Sequence, residues 1–259
     1  MQRRSFLAGA AGISLMSSAQ AQPKSPVIIE LRYFKLRNTM DSQRAKLTDF
    51  LSKTVVPTMQ KIGAGPVGLF SSSIGPDAPF LLLVAQHATI AAFEQCWQKL
   101  NTHPDLRDPA LSLMQSVVLP FERMEVQLLR GFSGFPAIEA GAADEKRASR
   151  IFELRTYESN TPASLAKKIN MFESGEIDLF RKFGLVPVFF GETIVGPKMP
   201  NLTYMVSFEN LAAREANWRA FATSPEWKKM AATPGWADGE VVSNISNLIL
   251  TPVAGSPIR

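Results

Sequence analysis

The chain has 259 residues and a formal net charge of +5; 46% of its residues are hydrophobic and 20% are charged, a balance that excludes an intrinsically disordered protein. Lysine and arginine are scattered rather than clustered, so nucleic acid is not an expected partner. The single cysteine excludes an internal disulfide bond.

The first 22 residues, MQRRSFLAGAAGISLMSSAQAQ, have the layout of an export signal. Arg3-Arg4 precedes a short apolar stretch broken by glycines, and Ala19-Gln20-Ala21 places small residues where a signal peptidase cleaves. The apolar stretch is too short for a membrane span. We therefore expect residues 1–21 to direct twin-arginine export of the folded protein. The expected location is periplasmic or secreted, with no integral membrane segment after cleavage.

The rest of the chain is a tandem repeat. Glu30-Leu31-Arg32 recurs as Glu153-Leu154-Arg155, 123 residues later. Further landmarks recur in the same order at an offset of 121 residues: Gly63 and Gly184, Pro66-Val67 and Pro187-Val188, Gly75-Pro76 and Gly196-Pro197, Pro79 and Pro200, Trp97 and Trp218, Pro104 and Pro225. We predict a first unit at residues 22–130, an exposed linker at 131–149 and a second unit at 150–259.

Each unit has the same predicted order of elements. A strand precedes a long amphipathic helix with apolar residues at three- and four-residue spacing, and Gly63 or Gly184 ends that helix. Two strands joined by a Gly-Pro turn, a second helix and a last strand follow. The predicted strands are 27–36, 67–74, 80–86 and 125–129, then 151–157, 188–195, 202–208 and 245–250, with the second helices at 89–100 and 211–221. This βαββαβ order is ferredoxin-like and leaves one sheet face to be covered.

Several motifs resemble those of a known family. ELRYF and ELRTY open the two units, and the second continues with PVFFGETIVGP, LTYMVSFENLAAREANW and SPEWKK between residues 187 and 229. These stretches resemble the NIPSNAP family of the dimeric α+β barrel superfamily. The first unit is the weaker copy, with Leu83 where the second has Tyr204. The resemblance implies an α+β fold in which two ferredoxin-like units form one barrel, and it implies no particular reaction.

A glutamate and an arginine interrupt the first strand of each unit. Because side chains alternate along a strand, Glu30 and Arg32 share one face and Leu31 occupies the other. We expect the apolar face to contact the helices and the charged face to lie at the barrel interior or its rim. Two interpretations stay open. The charges pair and fix how the sheets meet, or Arg32 or Arg155 binds an anionic ligand.

Polar side chains that could converge in such a site come from both units. The candidate ligand-binding residues are Glu30, Arg32, Glu153, Arg155, Tyr157, Glu192 and Tyr204. Motifs for a nucleotide or a serine nucleophile are absent, so catalytic residues are unassigned. The two histidines, His87 and His103, have no cysteine or carboxylate at metal-ligand spacing, and we predict no metal and no cofactor.

Haem is the cofactor alternative that the wider superfamily implies, because some of its members hold haem through one axial histidine. The second unit has Phe208 and Ser224 where the first has His87 and His103, which argues against a haem site.

Two functional hypotheses follow. In the first, the protein is an exported small-ligand-binding or assembly protein that forms homo-oligomers through its remaining surfaces. In the alternative, it is a cofactor-free or haem-dependent oxygenase-like enzyme with a pocket in the barrel interior. An interior filled by Phe and Leu side chains would contradict such a pocket.

Overall fold

A computed structural model describes residues 25–37, 43–114, 119–140 and 149–259. The predicted export signal lies outside the described residues. The helices of the described chain are all too short or too polar to serve as membrane spans.

Both units have the predicted order of elements. The first unit contains β1 (Ile28–Lys35), α1 (Gln43–Phe50), α2 (Val56–Lys61), β2 (Val67–Ile74), β3 (Phe80–His87), α3 (Ile90–Thr102), α4 (Pro104–Met114) and β4 (Arg123–Gly131). The second contains β5 (Ile151–Glu158), α5 (Pro162–Met171), α6 (Ile177–Lys182), β6 (Val186–Val195), β7 (Asn201–Phe208), α7 (Leu211–Thr223), α8 (Pro225–Ala231), α9 (Asp238–Val241) and β8 (Asn244–Pro252). A π-helical turn joins α1 to α2 at Leu51–Val55, and another joins α5 to α6 at Phe172–Glu176.

The eight strands form one closed barrel in the order β1-β3-β2-β8-β5-β7-β6-β4. Each unit contributes four antiparallel strands in the ferredoxin-like order, β4-β1-β3-β2 and β8-β5-β7-β6. The two seams between the units are the β2–β8 and β4–β6 pairs. The predicted α+β fold of tandem ferredoxin-like units forming an α+β barrel is confirmed. Closure pairs all the edge strands of the described barrel, which removes the usual sites of edge-to-edge association.

Local signals place the helix ends where the sequence predicts them. Thr161 caps α5 by accepting a hydrogen bond from the Ser164 backbone N–H, and Pro162 follows at the first helical position. Gly63 and Gly184 close the first helical run of each unit with φ of +95° and +76°. These left-handed conformations favour glycine.

The predicted exposed linker packs over the described part of its length. Phe132 and Phe135 are buried in the helix-side core of the second unit, and Ile138 is buried in the barrel interior. Backbone hydrogen bonds from Val27 N to Pro136 O and from Glu139 N to Val188 O secure the segment. The exposure predicted from its glycine and alanine content is therefore wrong for Phe132, Phe135 and Ile138, although Ser133, Gly134 and Glu139 beside them are exposed.

Candidate functional site

Apolar side chains occupy most of the barrel interior, and buried polar side chains, namely Gln127, Thr193, Asn201 and Thr203, form a hydrogen-bonded network beside them. Leu31, Phe70, Phe152 and Leu154 are buried there among side chains of both units, and the rings of Phe70 and Phe152 lie 4.9 Å apart. A recess of about 130 Å³ lies at one end of the barrel, and polar side chains such as Lys35 contribute to its lining. This packing does not support an oxygenase-like pocket inside the barrel.

The predicted orientation of the first strands is also wrong. Leu31 and Leu154 face the interior, whereas Phe34, on the same face as Glu30 and Arg32, packs in the helix-side core of the first unit. The physical reason is that the strands close into one barrel. The inside of a closed barrel offers few partners for a charge, while the helices outside can supply hydrogen-bond donors.

Glu153 on β5 is fully buried and accepts hydrogen bonds from four side chains. Arg155 Nη1 donates to Oε1 at 2.9 Å, while Arg214 on α7 donates through Nε to Oε2 at 2.9 Å and through Nη2 to Oε1 at 2.6 Å. The Trp218 indole N–H donates at 2.8 Å and Asn247 Nδ2 at 2.9 Å. Burial raises the pKa of Glu153, but these donors outweigh burial and hold it below its ordinary value.

Glu30 occupies the equivalent position on β1 with a different set of donors. Arg32 Nε donates to Oε1 at 2.6 Å, and His87 Nε2 and the Trp97 indole N–H lie 2.9 Å and 3.0 Å from Oε2. The Arg32 guanidinium also stacks 3.6 Å above the centre of the Trp97 ring. Burial raises the pKa of Glu30, but His87, Arg32 and Trp97 together lower it below its ordinary value.

Both glutamates therefore tie the first strand of a unit to its second helix. We call these two groups the Glu30 hub and the Glu153 hub. Each guanidinium already faces a carboxylate and an aromatic ring, a geometry that favours the structural interpretation. Arg155 keeps one buried donor, Nε, with no hydrogen-bond partner among the described residues.

The other predicted site residues lie on the helix side of the second unit. Tyr204 Oη donates to Tyr157 Oη at 2.9 Å, and the Arg155 guanidinium lies 5.5 Å from the centre of the Tyr157 ring. Burial raises the pKa of Tyr204 well above its ordinary value, so its hydroxyl stays protonated. In the β6–β7 strand pair, Glu192 lies opposite Leu202, and Phe190 lies opposite Tyr204. The structure therefore does not bring Glu192 to Arg155.

A buried ion cluster in the second unit was not predicted. Lys168 on α5 has an almost fully buried Nζ that lies 3.1 Å from Glu176 Oε2 and 3.3 Å from Asp238 Oδ1. The same ammonium lies 5.0 Å from the centre of the Phe172 ring and 5.4 Å from that of Trp227. The repeat could have revealed this cluster, because charged Lys168 and Glu176 occupy the positions that apolar Leu47 and Val55 occupy 121 residues earlier.

The first unit contains a large cavity between its helices and its sheet. The cavity has a volume of about 920 Å³, and its floor is formed by Phe34, Leu51, Val55, Trp97 and Leu100. Polar residues contribute to its wall: Asn101, Thr102, His103, Arg107 and Asp108. A concave, mostly apolar space with a few polar groups is typical of a small-molecule site. We call it the helix-side cavity.

The second unit has larger side chains at two positions that line the cavity in the first. Phe172 stands at the position of Leu51 and Trp227 at that of Leu106, a further cavity-lining residue. The Phe172 ring lies 5.7 Å from that of Phe180. The two units therefore differ in side-chain size at these positions of the repeat.

Neither histidine fits an axial haem ligand. His87 is buried and its Nε2 is engaged by Glu30. His103 lies on the cavity wall, but its Nδ1 accepts a hydrogen bond from the Asp105 backbone N–H at 3.2 Å. Neutral His103 therefore carries its proton on Nε2, whereas a metal-ligating Nε2 requires the proton on Nδ1. Among the described residues, His, Cys, Asp and Glu side chains form no group of three that could hold a metal ion.

Comparison with protein families identifies the second unit. The NIPSNAP family model matches residues 152–257, so this unit is a NIPSNAP domain, as its motifs predict. A search of curated proteins finds no match to the chain.

Several solved structures are similar to this chain. A candidate monooxygenase from Lactobacillus acidophilus NCFM is 12% identical with a TM-score of 0.57, over 90% of this chain and 98% of that one. An anthrone oxidase-like protein is 11% identical with a TM-score of 0.52, over 92% and 96% of the two chains. A NIPSNAP family protein from Agrobacterium tumefaciens is 16% identical with a TM-score of 0.39, over 46% of this chain and 100% of its own. At these identities the first two show a shared fold.

Proposed function

We propose that this NIPSNAP-domain protein binds a small, mostly apolar ligand in the helix-side cavity of its first unit. The observation that carries the proposal is the 920 Å³ volume of that cavity. Its size lies within the range of small-molecule sites, roughly 300–1,000 Å³. The second unit supports the assignment, since the same architecture there accepts larger side chains at the positions of Leu51 and Leu106.

The lining favours an uncharged aromatic molecule with a polar edge. Phe34, Phe50 and Trp97 offer aromatic surface, and Arg32 occupies one face of the Trp97 ring. Arg107 and Asp108 at the wall carry opposite charges, so the cavity has no strong preference for an anion or a cation. The ligand then buries its apolar body and directs hydrogen-bonding groups toward Asn101 and His103.

Titration with 1-aminoanthracene, a neutral fluorescent aromatic amine, tests the proposal. We expect saturable binding at one site per chain, with energy transfer from tryptophan to the probe. The double variant Leu51→Phe/Leu106→Trp, which carries the residues of the second unit, should fill the cavity and weaken binding by roughly tenfold or more. Recovery of the probe unchanged distinguishes binding from turnover.

A matched control adds bulk outside the cavity. Leu211→Trp places a tryptophan at an exposed position on α7 and should leave the affinity unchanged. Wild-type affinity in Leu51→Phe/Leu106→Trp would contradict a ligand site in the helix-side cavity. Circular dichroism of each variant establishes that the fold is retained.

Export of the folded protein is part of the same proposal. The twin-arginine pattern at residues 1–21 supports it. Native mass spectrometry of protein purified from the periplasm would report the cleaved mass, the oligomeric state and any co-purified ligand. We expect loss of the first 21 residues, a homo-oligomer and a bound small molecule. A full-length chain retained in the cytoplasm would contradict the export step.

A further inference from the structure

The two units differ at four buried positions that cluster in space. Lys168, Glu176, Tyr157 and Tyr204 are buried on the helix side of the second unit. The first unit has apolar side chains at the matching positions: Leu47, Val55, Phe34 and Leu83. All four of these are also buried. The architecture therefore accepts apolar side chains at these positions, two of which, Phe34 and Val55, also line the helix-side cavity.

A buried ion pair at such a place needs an explanation other than stability. Replacing a buried pair with apolar residues of similar size is often neutral or stabilising, because the charges lose their hydration. The first unit provides that apolar alternative within the same chain. The Lys168–Glu176 pair is thus better explained by a functional role of its charges than by a contribution to stability.

Lys168 bridges two carboxylates of different exposure. Glu176 is fully buried, whereas the side chain of Asp238 is 51% exposed. Asp238 begins α9, which packs against α5 and is also secured by a hydrogen bond from Ser159 Oγ to Val241 O. Lys168 therefore links a buried acid to a surface helix.

Other charged and titratable groups face Glu176 from the strands. Arg155 lies on β5 and Tyr204 on β7, in addition to Lys168 on α5 and Asp238 on α9, and Tyr157 on β5 faces Lys168. Burial raises the pKa of Glu176 to about 7, and nearby Asp238 adds to the rise, while Lys168 and Arg155 oppose it. The pKa of Lys168 is raised because Glu176 and Asp238 outweigh its burial, so its ammonium stays charged.

We propose that Lys168, Glu176 and Asp238 form a proton-sensitive latch, in which protonation of Glu176 leaves Asp238 as the ionised partner of Lys168 and holds α9 more tightly against α5. When Glu176 is ionised, it shares the ammonium with Asp238 and repels that carboxylate. When Glu176 is neutral, the repulsion disappears and the full charge of Lys168 acts on Asp238. The ligand of this site is a proton, and the inference is independent of the cavity in the first unit.

Hydrogen exchange of α9 at pH 6 and pH 8, with times corrected for the intrinsic pH dependence of exchange, tests the latch. The reporting amides are those of Glu240, Val241 and Val242, which donate to Ala237 and Asp238 carbonyls. We expect protection to be roughly fivefold higher at pH 6, the scale of one partly exposed charge contact. Glu176→Gln should show the pH 6 level at both pH values.

Two further variants keep the test decisive. Lys168→Leu/Glu176→Val carries the residues of the first unit and should abolish the pH difference, even if Glu176→Gln folds poorly. Glu240→Gln removes an exposed carboxyl from α9 itself and should leave the difference intact. Equal protection of the wild type at both pH values, or a pH difference that persists in Glu176→Gln, would overturn the latch.

Discussion

At the scale of single residues, the Glu-Leu-Arg strands are explained by what lies outside the barrel. Glu30 and Glu153 need donors, and the second helix of each unit provides a tryptophan indole N–H, that of Trp97 to Glu30 and that of Trp218 to Glu153. His87 in the first unit and Arg214 in the second complete the two hubs differently. Both hubs therefore attach the second helix of a unit to its first strand.

Removing the arginine of one hub should destabilise the protein without abolishing ligand binding. Arg155→Ala leaves Glu153 buried with fewer donors, and we expect a loss of about 3 kcal/mol, or roughly 5–10 °C in melting temperature. The control is Arg181→Ala, which removes an exposed ion pair with Glu139 and should cost less than about 1 kcal/mol. An Arg155→Ala protein that melts like the wild type but no longer binds 1-aminoanthracene would show that this arginine belongs to the binding site.

The buried Glu176 predicts a pH dependence of stability. Its folded-state pKa of about 7 lies above the ordinary value of 4.5, so the folded state binds this proton more tightly than the unfolded state. The resulting stabilisation is fully present below pH 4.5 and is lost as the pH rises through 7. We expect the unfolding free energy of the wild type, relative to that of Glu176→Gln, to fall by about 3 kcal/mol across this window. Urea denaturation at a series of pH values measures it.

The same urea series on Glu94→Gln provides the control, since that variant removes an exposed carboxyl on α3. Its stability should follow the wild type at each pH. A Glu176→Gln profile that also runs parallel to the wild type would contradict a tightly bound proton at Glu176.

At the scale of elements, the two units differ mainly in their helix layers. The β1–β3 and β5–β7 pairs have corresponding registers along the repeat. The helices of the first unit line a cavity, whereas in the second unit the Phe172 ring packs against the rings of Phe180 and Phe190. We expect Leu51→Phe/Leu106→Trp to keep or raise the melting temperature, because filling a cavity restores contacts that its lining residues lack. Differential scanning calorimetry measures the change, and a fall of more than about 5 °C would indicate that the added rings do not fit the space.

The order of the strands and helices can be predicted from the sequence, but the direction of the strand faces cannot. Strand and helix positions follow from periodicity, Gly63, Gly184 and the Thr161 cap. The repeat predicts two like units, and the family resemblance predicts that they form one barrel. The direction of the Glu-Leu-Arg strands does not follow, because both faces carry apolar residues and only barrel closure decides which one is inside. Arg214 and Asn247 were missed because their link to Glu153 joins elements far apart in sequence.

At the scale of the whole molecule, the two units share one interior. Leu31 of the first and Leu154 of the second lie in the same buried cluster, so neither unit has a complete core alone. We expect one calorimetric unfolding transition, and we expect Leu31→Ala to lower it as a whole by about 3 kcal/mol. Ile74→Ala, at an exposed position on β2, serves as the control. Two separated transitions, with only the first displaced by Leu31→Ala, would contradict a shared core.

The whole-molecule account rests on where a ligand binds. The barrel is closed and filled, and the open volume lies between the helices and the sheet of the first unit. A crystal structure of the protein soaked with a brominated aromatic probe, such as 2-bromonaphthalene, would locate the site through the anomalous signal of bromine. The account predicts a bromine peak between Trp97, Phe50 and Leu100. A peak inside the barrel or among the aromatic rings of the second unit would contradict it.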